Sequence, residues 1–267
     1  MNRKAFTLIE LLVVIAIIAL LVAILLPSLS RAKDLAKRAV CGANINSAGK
    51  AIYLYASQKD GMLPHPGNPA AGNFRNVGYL RGSAVPPLTN NWANSRGLWL
   101  LVRNELASPD LFVCPATEHT PSPLKTSGGG EAYDFNNHKT LSYSYQNQWT
   151  IGTNFRGTTI VDPPGVAVLA DRNACFPETG WKPNSGADNG DYGLPDSTKK
   201  SENSENHKKE GQSVLFLDGS VSWCKSPKAG VNQDNIWTRS DGVVGSDGAN
   251  ISVLSERLDE QDSFLIP

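Results

Sequence analysis

Three groups of residues in this chain are of types that could carry chemistry. His207 stands upstream of Asp218-Gly219, with ten residues between them. A histidine and a carboxylate could form an acid–base or metal-binding pair. The sequence supplies them with neither a nucleophile nor a third ligand, which favours a structural role. Asp218-Gly219 is then a two-residue hairpin turn, both positions able to adopt positive φ, and His207 pins the loop before it. The second group is acidic: Asp188-Asn189-Gly190-Asp191, and the stretch from Ser240-Asp241-Gly242 to Asp247-Gly248-Ala249-Asn250. These are hard oxygen donors of the kind calcium takes, with Asp241 and Asp247 the candidate ligands. Their spacing departs from an EF-hand, and Asp-Gly pairs are frequent turn formers, so plain turns are the favoured reading.

The third group is four scattered cysteines, Cys41, Cys114, Cys175 and Cys224. No CxxC pair is present, so zinc has little support in the sequence. An oxidising compartment would allow disulfides, with three pairings open. Cys41 with Cys114 and Cys175 with Cys224 is the expected pairing; in a reducing compartment all four would be buried thiols. Gly128-Gly129-Gly130 lacks the Lys and Ser/Thr of a phosphate loop, and His65, His119 and His138 are isolated. With 25 basic and 25 acidic side chains the formal charge is zero, which speaks against a nucleic-acid partner. No catalytic constellation emerges, so an enzyme is not expected.

The elements that must position these residues begin with the run from Phe6 to Leu26, interrupted only by Thr7 and Glu10. As a helix it spans about 30 Å, the thickness of a bilayer's hydrocarbon core. A carboxylate such as Glu10 inside that run is costly unless a cation lies within reach. Pro27 should kink the helix without necessarily stopping it. Beyond it, Ala32, Leu35, Ala36, Ala39 and Ala43 form a narrow stripe of small residues, continued by Ala48, Ile52 and Tyr55. Gly61 and Pro64 should end the helix near Lys59, giving it a length of about 80 Å.

Residues 95–106 place Leu98, Leu101, Val102 and Leu106 on one face of a short helix capped near Asn94. Strands are expected at Leu141–Tyr145, Val166–Asp171, Val214–Leu217 and Ser220–Trp223. The expected fold class is α+β, a long N-terminal helix packed on a small antiparallel sheet with long loops. The boundaries are 1–5 (leader), 6–26 (apolar helix), 27–60 (exposed half of the helix) and 61–267 (loop-rich head).

Arg3-Lys4-Ala5 followed by Phe6-Thr7-Leu8-Ile9-Glu10 resembles the class III signal of type IV pilins and type II secretion pseudopilins. Leu26-Pro27-Ser28-Leu29-Ser30 makes a poor signal-peptidase site by comparison. The resemblance implies that a prepilin peptidase cuts between Ala5 and Phe6 and methylates the new amine of Phe6. Ala5 stands where that family usually has glycine. Glu10 matches the family's acid, and Pro27 its proline about twenty residues past the cut. The stretch from Cys41-Gly42-Ala43-Asn44 to Pro64 is similar to a group of pilin-like proteins. Later landmarks of that group appear as Trp92, Trp99, Cys114-Pro115, Ser142-Tyr143 and Asn147. His207 with Asp218-Gly219 resembles its H-x9-DG element, with one extra residue.

The function so implied is a structural subunit of a type II secretion or type IV pilus-like filament. Self-association through N-terminal helices and contact with inner-membrane assembly machinery would follow. The N-terminus would be cytoplasmic and the head periplasmic, although Arg31, Lys33, Lys37 and Arg38 alone would favour the opposite topology. Major pseudopilins carry a late calcium loop, which residues 237–250 loosely resemble; no other cofactor is implied. The alternative is a membrane-anchored periplasmic enzyme or binding protein that uses a prepilin-type leader.

Overall fold

The computed structural model describes residues 8–65, 74–75, 92–126, 128–146, 148, 157–175, 197–199, 201–238, 263 and 265–266. Helix α1, Leu8–Ser57, runs unbroken through Pro27. Every residue from Leu8 to Lys33 is exposed. The head reaches the helix at Asp34 and buries side chains from Cys41 onward, taking Cys41, Ile45, Ala48, Ile52 and Tyr55 at alternating steps of four and three. This corrects the stripe read in the sequence: Ala32, Leu35, Ala36, Ala39 and Ala43 are all exposed. Ala43 lies two residues from both Cys41 and Ile45, which turns it to the far side of the helix. At the helix end, Gly61 donates its N–H to Ala56 O at 2.9 Å, closing the last turn.

The head is built on a five-stranded antiparallel sheet. Its strands are β3 (Tyr143–Gln146), β4 (Ala167–Asp171), β5 (Gln212–Phe216), β6 (Val221–Cys224) and β7 (Leu265–Ile266), in the order β6-β5-β4-β3-β7. A separate two-residue parallel pair joins β1 (Phe74–Arg75) to β2 (Trp92–Ala93). Helix α2, Ser95–Arg103, buries Leu98, Leu101 and Val102 as its periodicity predicts. Asn94 precedes it, but its side chain donates to Tyr145 O at 2.8 Å rather than capping the helix.

The sheet separates two clusters of buried side chains. One joins Cys41, Ile45, Ala48 and Ile52 of α1 to Tyr143, Tyr145, Leu169, Leu215 and Leu217. The other gathers Ala167, Ala170, Cys175, Val214, Ile236, Trp237 and Leu265. A bulge between Ala167 and Leu169 lets Val168 and Leu169 both join the α1 side, and this phase change brings Asp171 to α1 as well.

Close approach of α1 to β5 requires a glycine. A Cβ on Gly49 would lie 2.9 Å from both terminal methyls of Leu215. Gly49→Val is expected to destabilise the head by about 1–3 kcal/mol through overpacking. Chemical denaturation followed by tryptophan fluorescence checks this.

The β5–β6 connection departs from the expected two-residue turn. Gly219 N–H donates to Phe216 O and Phe216 N–H to Ser220 O, each at 2.9 Å. The loop is therefore the three residues Leu217–Gly219, a type I turn closed by a left-handed glycine. Only Gly219, at φ +84°, needs positive φ. Asp218 instead accepts the Ser220 N–H at 2.8 Å, and Tyr53 of α1 donates its hydroxyl to Leu217 O. Gly219→Ala is expected to cost about 1–2 kcal/mol, because a Cβ disfavours that backbone conformation. The same denaturation assay measures it.

Candidate functional site

Two regions carry functional potential, and α1 connects them. The first is its N-terminal half. Isoleucine, leucine and valine side chains from Leu8 to Leu29 are exposed on all sides, and none of the helix's apolar stretch is covered by the head. The helix is long and apolar enough to cross a membrane. Glu10 sits in its first turn. Ala5 and Phe6 lie outside the described residues.

The second region lies where α1 first enters the head. Cys41 of α1, Cys114 after the 3-10 turn Pro109–Phe112, Asp171 at the end of β4 and His207 of the 3-10 turn Glu205–His207 converge there. All four are buried, and their possible ligand atoms lie within 4.8 Å of one another. Cys41 Sγ donates to Asp171 Oδ1 at 3.1 Å, and Tyr143 Oη lies 3.4 Å from the same sulfur. His207 Nε2 stands 3.6 Å from Cys114 Sγ and 3.5 Å from Asp171 Oδ2. Asp171 is further held by Ser213 N–H at 2.7 Å and by Asn206 Nδ2 at 3.1 Å.

The surroundings fix His207 in this position. Ser204 Oγ accepts the Asn206 N–H at 3.3 Å, shaping the short turn that carries the imidazole. The Trp223 ring meets His207 edge-on at 5.4 Å and carries the Arg38 guanidinium 4.4 Å above it. Lys208 bonds Asp34 at 2.6 Å, and Arg38 pairs with Glu210, so the turn is tied to α1 from both sides.

These contacts separate the protons. Hydrogen bonding from Cys41, against the pull of burial and with help from His207, brings the Cys114 thiol down to about 6. The same bond, with burial and Asp171, pushes the Cys41 thiol well up. Burial alone would lower His207, but its bonds to Asp171 and Cys114 raise it to about 9. A Cys–His nucleophile is poorly served, because Cys114 and Asp171 share the same imidazole nitrogen. In a triad the acid orients the base from its other nitrogen.

The sequence-derived candidates fall out as follows. His207 is part of the cluster, whereas Asp218 sits exposed at the hairpin tip, so the carboxylate partner of His207 is Asp171 and not Asp218. Cys41 and Cys114 come together; Cys175 and Cys224 both pack on the second core cluster. All four cysteines are free thiols, so neither expected disulfide is formed. Asp241, Asp247 and the segment 188–191 lie outside the described residues. Asp171 was not foreseen, and no local spacing marks it.

Residues 1–26 match the Prokaryotic N-terminal methylation motif. The chain is also similar to the type IV wide pilus major component PilA4 of Thermus thermophilus, 52% identical over 54 residues. That match takes in 20% of this chain and spans 41% of the length of PilA4. No solved structure matches. A long apolar N-terminal helix, a small antiparallel sheet packed on its second half and a methylation motif at the start together make a type IV pilin-like arrangement.

Proposed function

We propose that the chain is a structural subunit of a type IV pilus-like or type II secretion pseudopilus filament. A prepilin peptidase would cut between Ala5 and Phe6 and methylate Phe6. Before assembly the apolar half of α1 spans the inner membrane, with its N-terminus cytoplasmic and its head periplasmic. In the filament the same surface packs against other copies of α1, so little apolar area need meet water in transit. The observation that carries this reading is the uncovered helix: Leu8 to Lys33 makes no contact that hides it, while the head closes over Cys41 to Tyr55. The similarity of the first 26 residues to the methylation motif supports the same conclusion.

A structural role also suits the head. Its cluster of reactive groups is closed, with the His207 side chain 3% exposed, and so lacks the open position that catalysis needs. The test is fractionation of cells that make the filament, using an antibody against the head. The chain is expected in the sheared surface filaments or in isolated pseudopili. Confinement to the membrane under those conditions would favour the anchored binding protein or enzyme instead.

A further inference from the structure

We propose that Cys41, Cys114, Asp171 and His207 form a zinc site that fastens the long helix to the head. The donors are two sulfurs, one imidazole nitrogen and one carboxylate, the mixture that tetrahedral zinc takes. Calcium, which wants six or more oxygens, has no place there. The spacing agrees. Ligands bound to tetrahedral zinc at about 2.0–2.3 Å stand about 3.3–3.8 Å from one another. Cys114 Sγ to His207 Nε2 at 3.6 Å and His207 Nε2 to Asp171 Oδ2 at 3.5 Å fall in that range. Cys41 Sγ lies 3.1 Å from the other carboxylate oxygen, Oδ1, so that sulfur must move by less than an ångström to share the ion.

The groups behind the ligands are those a metal site needs. Ser213 N–H and Asn206 Nδ2 aim the Asp171 carboxylate, and the Tyr143 hydroxyl contacts the Cys41 sulfur. A cleft of about 50 Å³, lined in part by Lys37, Arg38, Asn206 and His207, lies beside the cluster. Both sulfurs ligate as thiolates and His207 as the neutral imidazole through Nε2, the protons that these groups carry in the metal-free chain passing to solvent. Asp171 supplies one oxygen. Four protein ligands leave no position for water, so the site is structural. It joins α1, the segment after Phe112, β4 and the turn before β5, four pieces that are remote in sequence. Its binding free energy is therefore folding free energy of the head.

The test uses the full chain, purified in detergent without chelator and with an affinity tag free of histidine. Elemental analysis is expected to find about one zinc per chain. Cys114→Ser and His207→Ala should lose it, while Cys175→Ser keeps it. Because those ligand variants could also fail to fold, a second measurement uses the wild-type chain. Chelator-stripped, reduced protein titrated with Co²⁺ should show a thiolate-to-cobalt charge-transfer band, displaced by Zn²⁺ and not by Ca²⁺. Stripping should lower the unfolding temperature, and Zn²⁺ should restore it. Absence of stoichiometric zinc together with no cobalt band overturns the proposal. So does recovery of Cys41 and Cys114 joined as a disulfide in the native chain.

Discussion

Glu10→Val should abolish filament assembly while leaving membrane insertion and N-terminal cleavage intact. Glu10 lies in the first turn of α1, in a stretch that is otherwise apolar as far as Leu26 and that the head leaves uncovered. Replacing it with valine lowers the cost of the membrane-spanning state, so insertion has no reason to suffer. In a packed bundle of helices the carboxylate is tolerable only beside a cation, and the N-terminal amine of a neighbouring subunit would be such a group. That pair would fix the axial register of one subunit on the next, as buried polar groups do elsewhere. Counting filaments by electron microscopy, beside processed chain in membranes, separates the two steps. Filaments at wild-type numbers would show that register is set by apolar packing alone.

Arg96→Met should destabilise the head by about 3–5 kcal/mol, measured at a pH above 7. Arg96 at the start of α2 is 4% exposed and Asp134 is 1% exposed, with Nε and Oδ2 3.7 Å apart. Burial pushes the Asp134 carboxyl up to about 7, with Arg96 and Ser95 pulling the other way. In the variant the carboxyl loses that cation, so it must either stay buried as an unpaired carboxylate or hold a proton that the unfolded chain has lost, and at this pH both cost stability. The double variant Arg96→Met/Asp134→Leu should recover most of the loss, because an apolar pair of similar volume has no charge to desolvate. Denaturation midpoints of the four chains form a double-mutant cycle. A single-variant loss below about 1 kcal/mol would remove the pair from the account of stability.

The same shift gives the wild-type chain a pH dependence. The folded Asp134 carboxyl titrates above its ordinary value of 3.8, so between about 4 and 7 the folded state keeps a proton that the unfolded chain has lost. This contribution is fully present below about 4 and disappears as pH rises towards 7. Midpoints measured across that window should show stability from this group falling with pH. The slope should vanish in the double variant.

Much of the scaffold was legible because it is written in local patterns. The unbroken apolar run gave α1, the three- and four-residue steps gave α2, and Asp218-Gly219 marked the β5–β6 hairpin. Local patterns stop short of partners, however. Helical spacing says that Ala32, Ala36, Ala39 and Ala43 share a face, but not that the head takes the opposite one. Nearness in sequence linked His207 to Asp218. Strand β5 then carries the chain five residues, at about 3.3 Å each, away from His207 before the turn is reached. The cluster around His207 was out of reach for a related reason. Its four members come from four separate segments, and Asp171 reaches the α1 side through a bulge that shifts the strand's alternation. Pairing Cys41 with Cys114 brought together two residues that do meet, but nothing in the sequence added the Asp171 and His207 that stand beside them.

The central claim is that this chain is processed as a pilin-like subunit before it assembles. It is tested most directly by the intact mass and N-terminal residue of the protein recovered from membranes and from sheared filaments. The account predicts a mature chain beginning with methylated Phe6 in both fractions. A chain that still begins at Met1 would contradict it, leaving α1 as a plain membrane anchor and the head as the place to look for function.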